Sequence, residues 1–60
     1  MYEKYAELRD KAGLNDFQVA QKTDISPSTI YDWKYGKYRP KVDKLQKIAK
    51  AIGCKLEELL

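Results

Sequence analysis

The chain has 60 residues, of which 43% are hydrophobic and 35% are charged, with a formal net charge of +3 and a pI of about 9.0. This length allows one small domain, which buries only about 60% of the surface of its unfolded chain. The composition excludes a disordered chain, and the lack of an apolar run of about 18 residues excludes a membrane-spanning one. The charged N-terminal stretch lacks the apolar core of a signal peptide, so we expect a cytoplasmic protein.

Residues that carry most catalytic and metal chemistry are scarce. The sequence holds one cysteine, Cys54, and no histidine. An internal disulfide is therefore impossible, and a metal site would need carboxylates alone, none of which cluster at ligand spacing. No nucleophile stands beside a base, and no glycine-rich loop is present to cradle a phosphate. We therefore expect no metal, no cofactor and no enzymatic activity.

The first predicted helix (helix 1) runs from about Tyr2 to Ala12. Tyr5, Leu8 and Ala12 recur at i, i+3 and i+7 and so share one face, which we expect to lie against the core. Gly13 is a suitable stop, because glycine readily adopts the left-handed conformation that ends many helices. The spacing therefore predicts an amphipathic helix that packs through its Tyr5 face.

Two short helices with a tight corner between them follow. Helix 2 spans about 16–23, with Asn15 as its N-cap. Helix 3 spans about 27–35, with Ser26 as its N-cap and a proline at the first helical position. The corner is only 23–26. Two helices joined by so short a turn must cross steeply, which is the geometry of a helix-turn-helix.

Helix 3 has an inner and an outer side. At about 100° per residue, Ile30 and Trp33 share the inner side, so we expect both in the core. The outer side carries hydroxyl groups and one carboxylate, which can exchange hydrogen bonds with base edges. Its residues are Ser28, Tyr31, Asp32 and Tyr35.

Positive charge gathers in the second half of the chain. Residues 1–30 carry a net charge of −1, and residues 31–60 carry a net charge of +4. Between positions 34 and 41 there are four cations and no anion: Lys34, Lys37, Arg39 and Lys41. A local basic patch is the footprint of a polyanion such as nucleic acid, although a solvated lysine-rich loop has the same composition.

An apolar stripe defines helix 4, which runs from about Lys41 to Ala51 or Ile52. The stripe consists of Val42, Leu45, Ile48, Ala49 and Ile52. A short helix 5 is predicted from about Lys55 to Leu60, and we expect Leu56, Leu59 and Leu60 to close the core. The elements together predict a single all-α domain of five short helices.

The pattern of the whole chain resembles the XRE family, the lambdoid-phage repressor and Cro-like helix-turn-helix proteins. The matching positions are Leu8-Arg9, Gly13-Leu14, Val19-Ala20, Ile25-Ser26, Thr29-Ile30, Trp33, Gly36, Pro40, Leu45, Ile48-Ala49, Ile52-Gly53 and Leu56 to Leu60. The resemblance implies a lambda-repressor-like fold with its helix-turn-helix at 16–35. It also implies sequence-specific binding to double-stranded DNA, with helix 3 in the major groove.

The resemblance places four base contacts on helix 3. Ser28 can donate or accept a hydrogen bond, whereas Asp32 can only accept one, from cytosine N4 or adenine N6. Tyr31 can touch a thymine methyl group or a phosphate. Pro27 offers only apolar contact. Without the resemblance, each of these residues would be read as an ordinary exposed side chain.

The resemblance also implies phosphate contacts. In relatives, the loop after helix 3 and the N-terminus of the next helix grip the DNA backbone through cations and backbone N–H groups. Thr29 adds a hydroxyl for phosphate and a methyl group for packing. The implied phosphate contacts are Arg9, Gln18, Thr29, Lys37, Tyr38, Arg39 and Lys41.

Three positions depart from the family pattern. Asp16 stands where relatives often carry a phosphate-binding glutamine; an acid there would repel phosphate, and Gln18 could take over the contact. Asp24 replaces the glycine of the corner, and aspartate tolerates the left-handed backbone better than most residues. Lys34 stands where relatives commonly have a glutamate paired with the arginine at Arg9. Arg9 must therefore find another partner, or face solvent and phosphate.

The function that the resemblance implies is transcriptional regulation, most simply repression by a homodimer on a palindromic operator with half-sites about one helical turn apart. The sequence does not show a dimer surface, and the stretch 56–60 is our hypothesis for it. The alternatives are a protein-interaction module and an antitoxin built on an XRE-like domain. The aspartates at 16, 24 and 32 favour an interaction module because they would repel DNA.

Overall fold

The computed structural model describes residues 2–60, which form four α-helices and a C-terminal 3-10 helix, with no strand in this range. The elements are α1 (Tyr2–Lys11), α2 (Asp16–Thr23), α3 (Pro27–Lys34), α4 (Val42–Ile52) and the 3-10 helix Leu56–Leu59. The all-α fold class is confirmed. The fifth element is a single 3-10 turn and not a short α-helix from 55 to 60. Within residues 2–60, no helix has the length and apolarity needed to cross a bilayer.

The predicted N-cap sets the start of α2, and a left-handed residue sets its end. Asn15 Oδ1 accepts from the Gln18 backbone N–H at 2.8 Å, and Gln18 Oε1 accepts from the Asn15 N–H at 2.9 Å. This reciprocal capping box satisfies two N–H groups at the start of α2. The helix ends at Thr23, and its C-cap Asp24 has a left-handed φ of 59°. The corner without glycine therefore forms, as predicted.

The core lies where α2 and α4 pack together, and α1, α3 and the 3-10 helix complete it. Its buried apolar residues are Tyr5, Val19, Ala20, Ile25, Ile30, Trp33, Leu45, Ile48, Ala49, Ile52 and Leu59. The inward positions predicted for Ile30 and Trp33 are confirmed. With its inner side fixed in this way, α3 presents its other side to solvent.

Three residues that we expected in the core are exposed. Ala12 lies in the turn beyond the end of α1, which stops at Lys11. Val42 is 56% exposed because it opens α4, one turn before the buried stripe begins. Leu60 is 62% exposed, whereas Leu59 is fully buried. A 3-10 helix repeats every three residues, so position 59 returns to the face of position 56 and position 60 turns away.

The connection from α3 to α4 is built around one glycine. Gly36 has a φ of 76°, which is left-handed. This conformation lets the Lys37 N–H donate to the Asp32 carbonyl at 2.8 Å, which closes the end of α3. Pro40 is buried and anchors the loop, and Lys41 is the N-cap of α4. The loop 36–41 is therefore tied at both ends, with its side chains projecting from fixed backbone.

Candidate nucleic-acid interface

A cluster of three hydroxyl groups opens α3. Ser26 Oγ accepts from the Thr29 N–H at 3.2 Å and lies 2.8 Å from Ser28 Oγ and 3.2 Å from Thr29 Oγ1. Ser28 is exposed and Thr29 is half-buried. Because each hydroxyl can donate and accept, the exposed members of the cluster can still bind an outside group. The N-cap therefore also fixes two of the predicted contact residues.

The solvent side of α3 is aromatic. Tyr31 is 59% exposed and Tyr35 is 56% exposed. Their ring centroids are 4.7 Å apart, with 47° between the ring planes. Asp32 beside them is half-buried, and Lys34 places its Nζ 5.7 Å from the Tyr35 ring centroid. This side of the helix therefore carries two large rings, hydroxyl groups and one carboxylate.

The structure places the four predicted base contacts on this one helix. Pro27, Ser28 and Tyr31 are exposed, and Asp32 is half-buried. Tyr35, the C-cap of α3, shares their side and was not among the predicted contacts. The i, i+4 spacing from Tyr31 was the signal for it.

The loop after α3 supplies the positive charge. Lys37, Arg39 and Lys41 are exposed, and Tyr38 is half-buried against the core. The backbone bonds of Gly36 and the buried Pro40 hold these residues next to the C-terminal end of α3. The structure therefore brings four of the predicted phosphate contacts together on one edge of the helix-turn-helix.

Arg9 and Asp16 form an internal ion pair. Arg9 Nη1 lies 2.8 Å from Asp16 Oδ1, and Arg9 Nη2 lies 2.8 Å from Asp10 Oδ1. The Arg9 side chain is 17% exposed. The arginine that lost its usual glutamate thus has another partner, supplied by the first turn of α2. Asp16 is correspondingly not an isolated acid on the surface.

Two tyrosines of α1 complete this network. Tyr5 Oη donates to Asp16 Oδ1 at 2.6 Å, and Tyr2 Oη donates to Asp16 Oδ2 at 2.8 Å. Burial raises the pKa of Asp16, but the hydrogen bonds from Tyr5, Arg9 and Tyr2 outweigh burial, so the net pKa lies below its usual value. We name Asp16 with these three donors the Asp16 network.

The Asp16 network also reaches α3 through aromatic contacts. The Trp33 ring lies 4.8 Å from the Tyr5 ring and 5.5 Å from the Tyr2 ring, centroid to centroid. The helix that carries the exposed rings is therefore seated on the same tyrosines that bind Asp16. Sequence reasoning missed this network. Its signal was the i, i+3, i+7 spacing of Tyr2, Tyr5 and Arg9, which puts three donors on one face of α1.

Two further predicted phosphate contacts, Gln18 and Thr29, lie in the first turns of α2 and α3. Gln18 is exposed, and only its amide oxygen is engaged by the cap. Its amide NH2 group is a donor at the start of α2. Thr29 belongs to the hydroxyl cluster. The contacts of these residues with phosphate stay predictions.

Comparison with known families gives one finding. The family model described as Helix-turn-helix matches residues 6–59. This range includes every residue predicted to contact DNA. Among curated proteins and solved structures, none matches the chain.

Proposed function

The chain belongs to the XRE-type helix-turn-helix family of DNA-binding regulators, and from this premise we propose that it binds double-stranded DNA sequence-specifically, with α3 in the major groove. The observation that carries the proposal is the pairing of two surfaces. The exposed side of α3 offers base-reading groups, and the fixed loop 36–41 beside it offers cations. Relatives bind DNA through both kinds of contact: phosphate contacts position the protein, and base contacts specify the sequence.

In the proposed complex, the start of α3 reads base edges. Ser28 donates or accepts from its place in the hydroxyl cluster, and Asp32 accepts from an adenine or cytosine amino group. Pro27 and Tyr31 make apolar contacts. The cost of bringing the Asp32 carboxylate near DNA is offset only if it is hydrogen-bonded there. Asp32 is therefore expected to reject bases that lack a donor at its position.

The proposed phosphate grip comes from the loop and the helix starts. Lys37, Arg39 and Lys41 neutralise phosphates, and Tyr38 and Thr29 add hydroxyl groups. Gln18 reaches the backbone through its free amide NH2 group. We leave Arg9 out of this set because its guanidinium is already held by Asp16 and Asp10.

The Asp16 network supports DNA binding over an interaction module. A free carboxylate at the start of α2 would repel the phosphate backbone. Asp16 instead accepts from Tyr2, Tyr5 and Arg9, and the Arg9 cation neutralises its charge. Asp16, one of the three aspartates that favoured an interaction module, therefore has its partners within the domain.

A regulator of this kind acts by occupancy. We propose that it is a cytoplasmic repressor that covers an operator and so blocks polymerase or a competing activator. A homodimer on a palindromic site, with half-sites about one helical turn apart, fits this role. The stretch 56–60, in which Leu60 is exposed, stays our candidate for the dimer surface.

The alternative is a domain that binds a protein, including an antitoxin that also represses its own operon. The favouring observation is Phe17, which is 59% exposed beside an apolar groove between α2 and α3. A protein ligand bound with little salt dependence, by a chain without affinity for DNA, would support this alternative. A toxin gene next to the gene for this chain would support the antitoxin.

Selection from a random duplex library tests the proposal. The wild-type chain should enrich one motif, and Ser28→Ala and Asp32→Ala should each relax preference at a defined base pair, at roughly 1–3 kcal/mol per lost contact. Asp10→Ala, which removes an exposed carboxylate from α1, is the matched control and should leave the motif unchanged. Enrichment of no motif would reject sequence-specific binding.

A further inference from the structure

The exposed aromatic pair on α3 has a defined shape. Tyr31 and Tyr35 stand one turn apart, and at about 100° per residue they lie within about 40° of each other around the helix. Their rings touch, with centroids 4.7 Å apart, and each side chain is more than half exposed. Two phenol rings in contact make one continuous apolar plate. The plate lies on the same side as Ser28, the residue expected nearest the bases.

Each phenol side chain is mostly ring carbon, with a single hydroxyl group at its tip. Ring carbon is therefore the main surface that the two side chains offer. The plate is therefore suited to an apolar feature of its ligand.

The rest of α3 lacks the side chains that read guanine. Arginine or lysine forks to guanine O6 and N7 are the commonest specific contacts in the major groove. Residues 27–35 contain no arginine. Their one cation, Lys34, holds its Nζ 5.7 Å from the Tyr35 ring centroid. The reading surface is thus short of the cationic forks that read guanine and rich in apolar area.

Only one base pair type presents an apolar group in the major groove. Thymine carries a C5-methyl group there, and its partner adenine presents an amino donor at N6. Asp32, one residue from Tyr31 on the same helix, can only accept and so fits that donor. Ring carbon and carboxylate together match the edge of an A·T pair.

We propose that Tyr31 and Tyr35 form a single plate that reads thymine C5-methyl groups, so that the half-site carries A·T pairs under the second half of α3. This inference rests on the proposed function and names the class of site that the chain selects. The plate is formed before DNA arrives, because the two rings already contact each other. Little side-chain freedom is therefore lost on binding.

Replacement of thymidine by deoxyuridine in the selected duplex tests the inference, because it removes the C5-methyl group and keeps every hydrogen bond of the pair. Wild-type binding, measured by fluorescence anisotropy, should weaken about fourfold for each methyl group that the plate covers, as expected for the loss of one buried methyl. Deoxyuridine in the flanking sequence should have no effect. Tyr31→Ala and Tyr35→Ala should bind the two duplexes equally.

Conservative variants separate the ring from its hydroxyl. Tyr31→Phe and Tyr35→Phe keep the ring carbon, so both should keep the wild-type preference for thymidine over deoxyuridine. Because both positions are more than half exposed, circular dichroism should show the wild-type fold for all four variants.

The results of these experiments can overturn the thymine-reading plate without overturning the proposed function. Salt-dependent, motif-specific binding that is indifferent to deoxyuridine at every position would overturn the methyl plate and leave the proposed function standing. An enriched motif of G·C pairs under the second half of α3 would do the same. Absence of binding to any duplex at low salt would overturn both.

Discussion

The Asp16 network makes a quantitative prediction about stability. Asp16→Ala removes the acceptor for Tyr5, Tyr2 and Arg9 in one step. Asp16→Asn keeps the shape and one acceptor oxygen but removes the negative charge. Asp10→Asn is the matched control, since Asp10 binds the same guanidinium at 2.8 Å but is 70% exposed.

The magnitudes follow from burial. Tyr5 is fully buried, and a buried hydroxyl without a partner costs about 1–3 kcal/mol. Tyr2 and Arg9 are half-buried and can turn to water or to Asp10, so their loss adds less, and the terms do not add independently. We expect about 3 kcal/mol for Asp16→Ala, about 1 kcal/mol for Asp16→Asn, and less than about 0.5 kcal/mol for Asp10→Asn.

Such losses are large for this chain. A domain of 60 residues has a free energy of unfolding of roughly 3–9 kcal/mol. Urea unfolding, followed by the fluorescence of the buried Trp33, measures each difference from the shift in midpoint. Asp16→Ala is expected to be partly unfolded in water if the wild type lies near the lower figure.

The pH dependence of the unfolding free energy provides a second test of the Asp16 network. The pKa of Asp16 is lowered in the folded state, so its carboxylate contributes stability above the unfolded-state pKa of about 3.9, and this contribution is lost as the pH falls through the lower folded-state pKa. The difference between wild type and Asp16→Asn should therefore shrink below about pH 4. A difference that is absent at pH 7, or that persists undiminished at pH 2, would refute the reasoning.

Three further predictions concern the cap, the loop and the buried phenol. Ser26→Ala should destabilise the domain by about 1 kcal/mol in urea unfolding, because the first turn of α3 loses its capping oxygen. Ser26→Asp, which keeps a capping oxygen, should retain most of the wild-type stability. An unchanged midpoint for Ser26→Ala would mean that the cap contributes nothing to stability. Arg39→Ala and Lys41→Ala should each weaken binding to all duplexes alike and flatten the slope of log K against log salt by about one. Lys47→Ala on α4 should leave this slope unchanged. Equal slopes for all three variants would mean that other residues contact the phosphates. Burial, and then the hydrogen bond to Asp16, raise the pKa of Tyr5 in the folded state. The neutral Tyr5 hydroxyl therefore contributes stability below the unfolded-state pKa of about 10, and this contribution is lost at higher pH. The loss of unfolding free energy caused by Tyr5→Phe should shrink on alkaline titration, and a loss that stays constant would contradict this prediction.

Helix positions followed from local chemistry. Capping residues such as Asn15 and Ser26, and left-handed stops such as Gly13, act within a few residues of chain. The ends of the predicted helices therefore fall within about one residue of the observed ends for α1 to α4. The exposure of the outer side of α3 followed as well, because Ile30 and Trp33 fix its inner side. Contacts between these exposed residues and DNA stay predictions.

Pairings between distant side chains did not follow. Periodicity states which face of a helix a residue occupies, but not which residue of another helix meets it. Lys34 stands where the family has the glutamate partner of Arg9, so the sequence indicated that Arg9 needs another partner or faces solvent and phosphate, but not that Asp16 of α2 is that partner. The position of Leu60 failed for a related reason, since the choice between an α-helix and a 3-10 helix at the chain end decides which leucine turns inward.

The central claim is that this helix-turn-helix grips DNA through a cationic loop beside α3. Fluorescence anisotropy of the chain with a labelled mixed-sequence duplex, titrated from low to physiological salt, tests that claim most directly. We expect binding at low salt that weakens steeply as salt is added, because each neutralised phosphate releases counterions. A chain that is folded by circular dichroism and binds no duplex at low salt would contradict it.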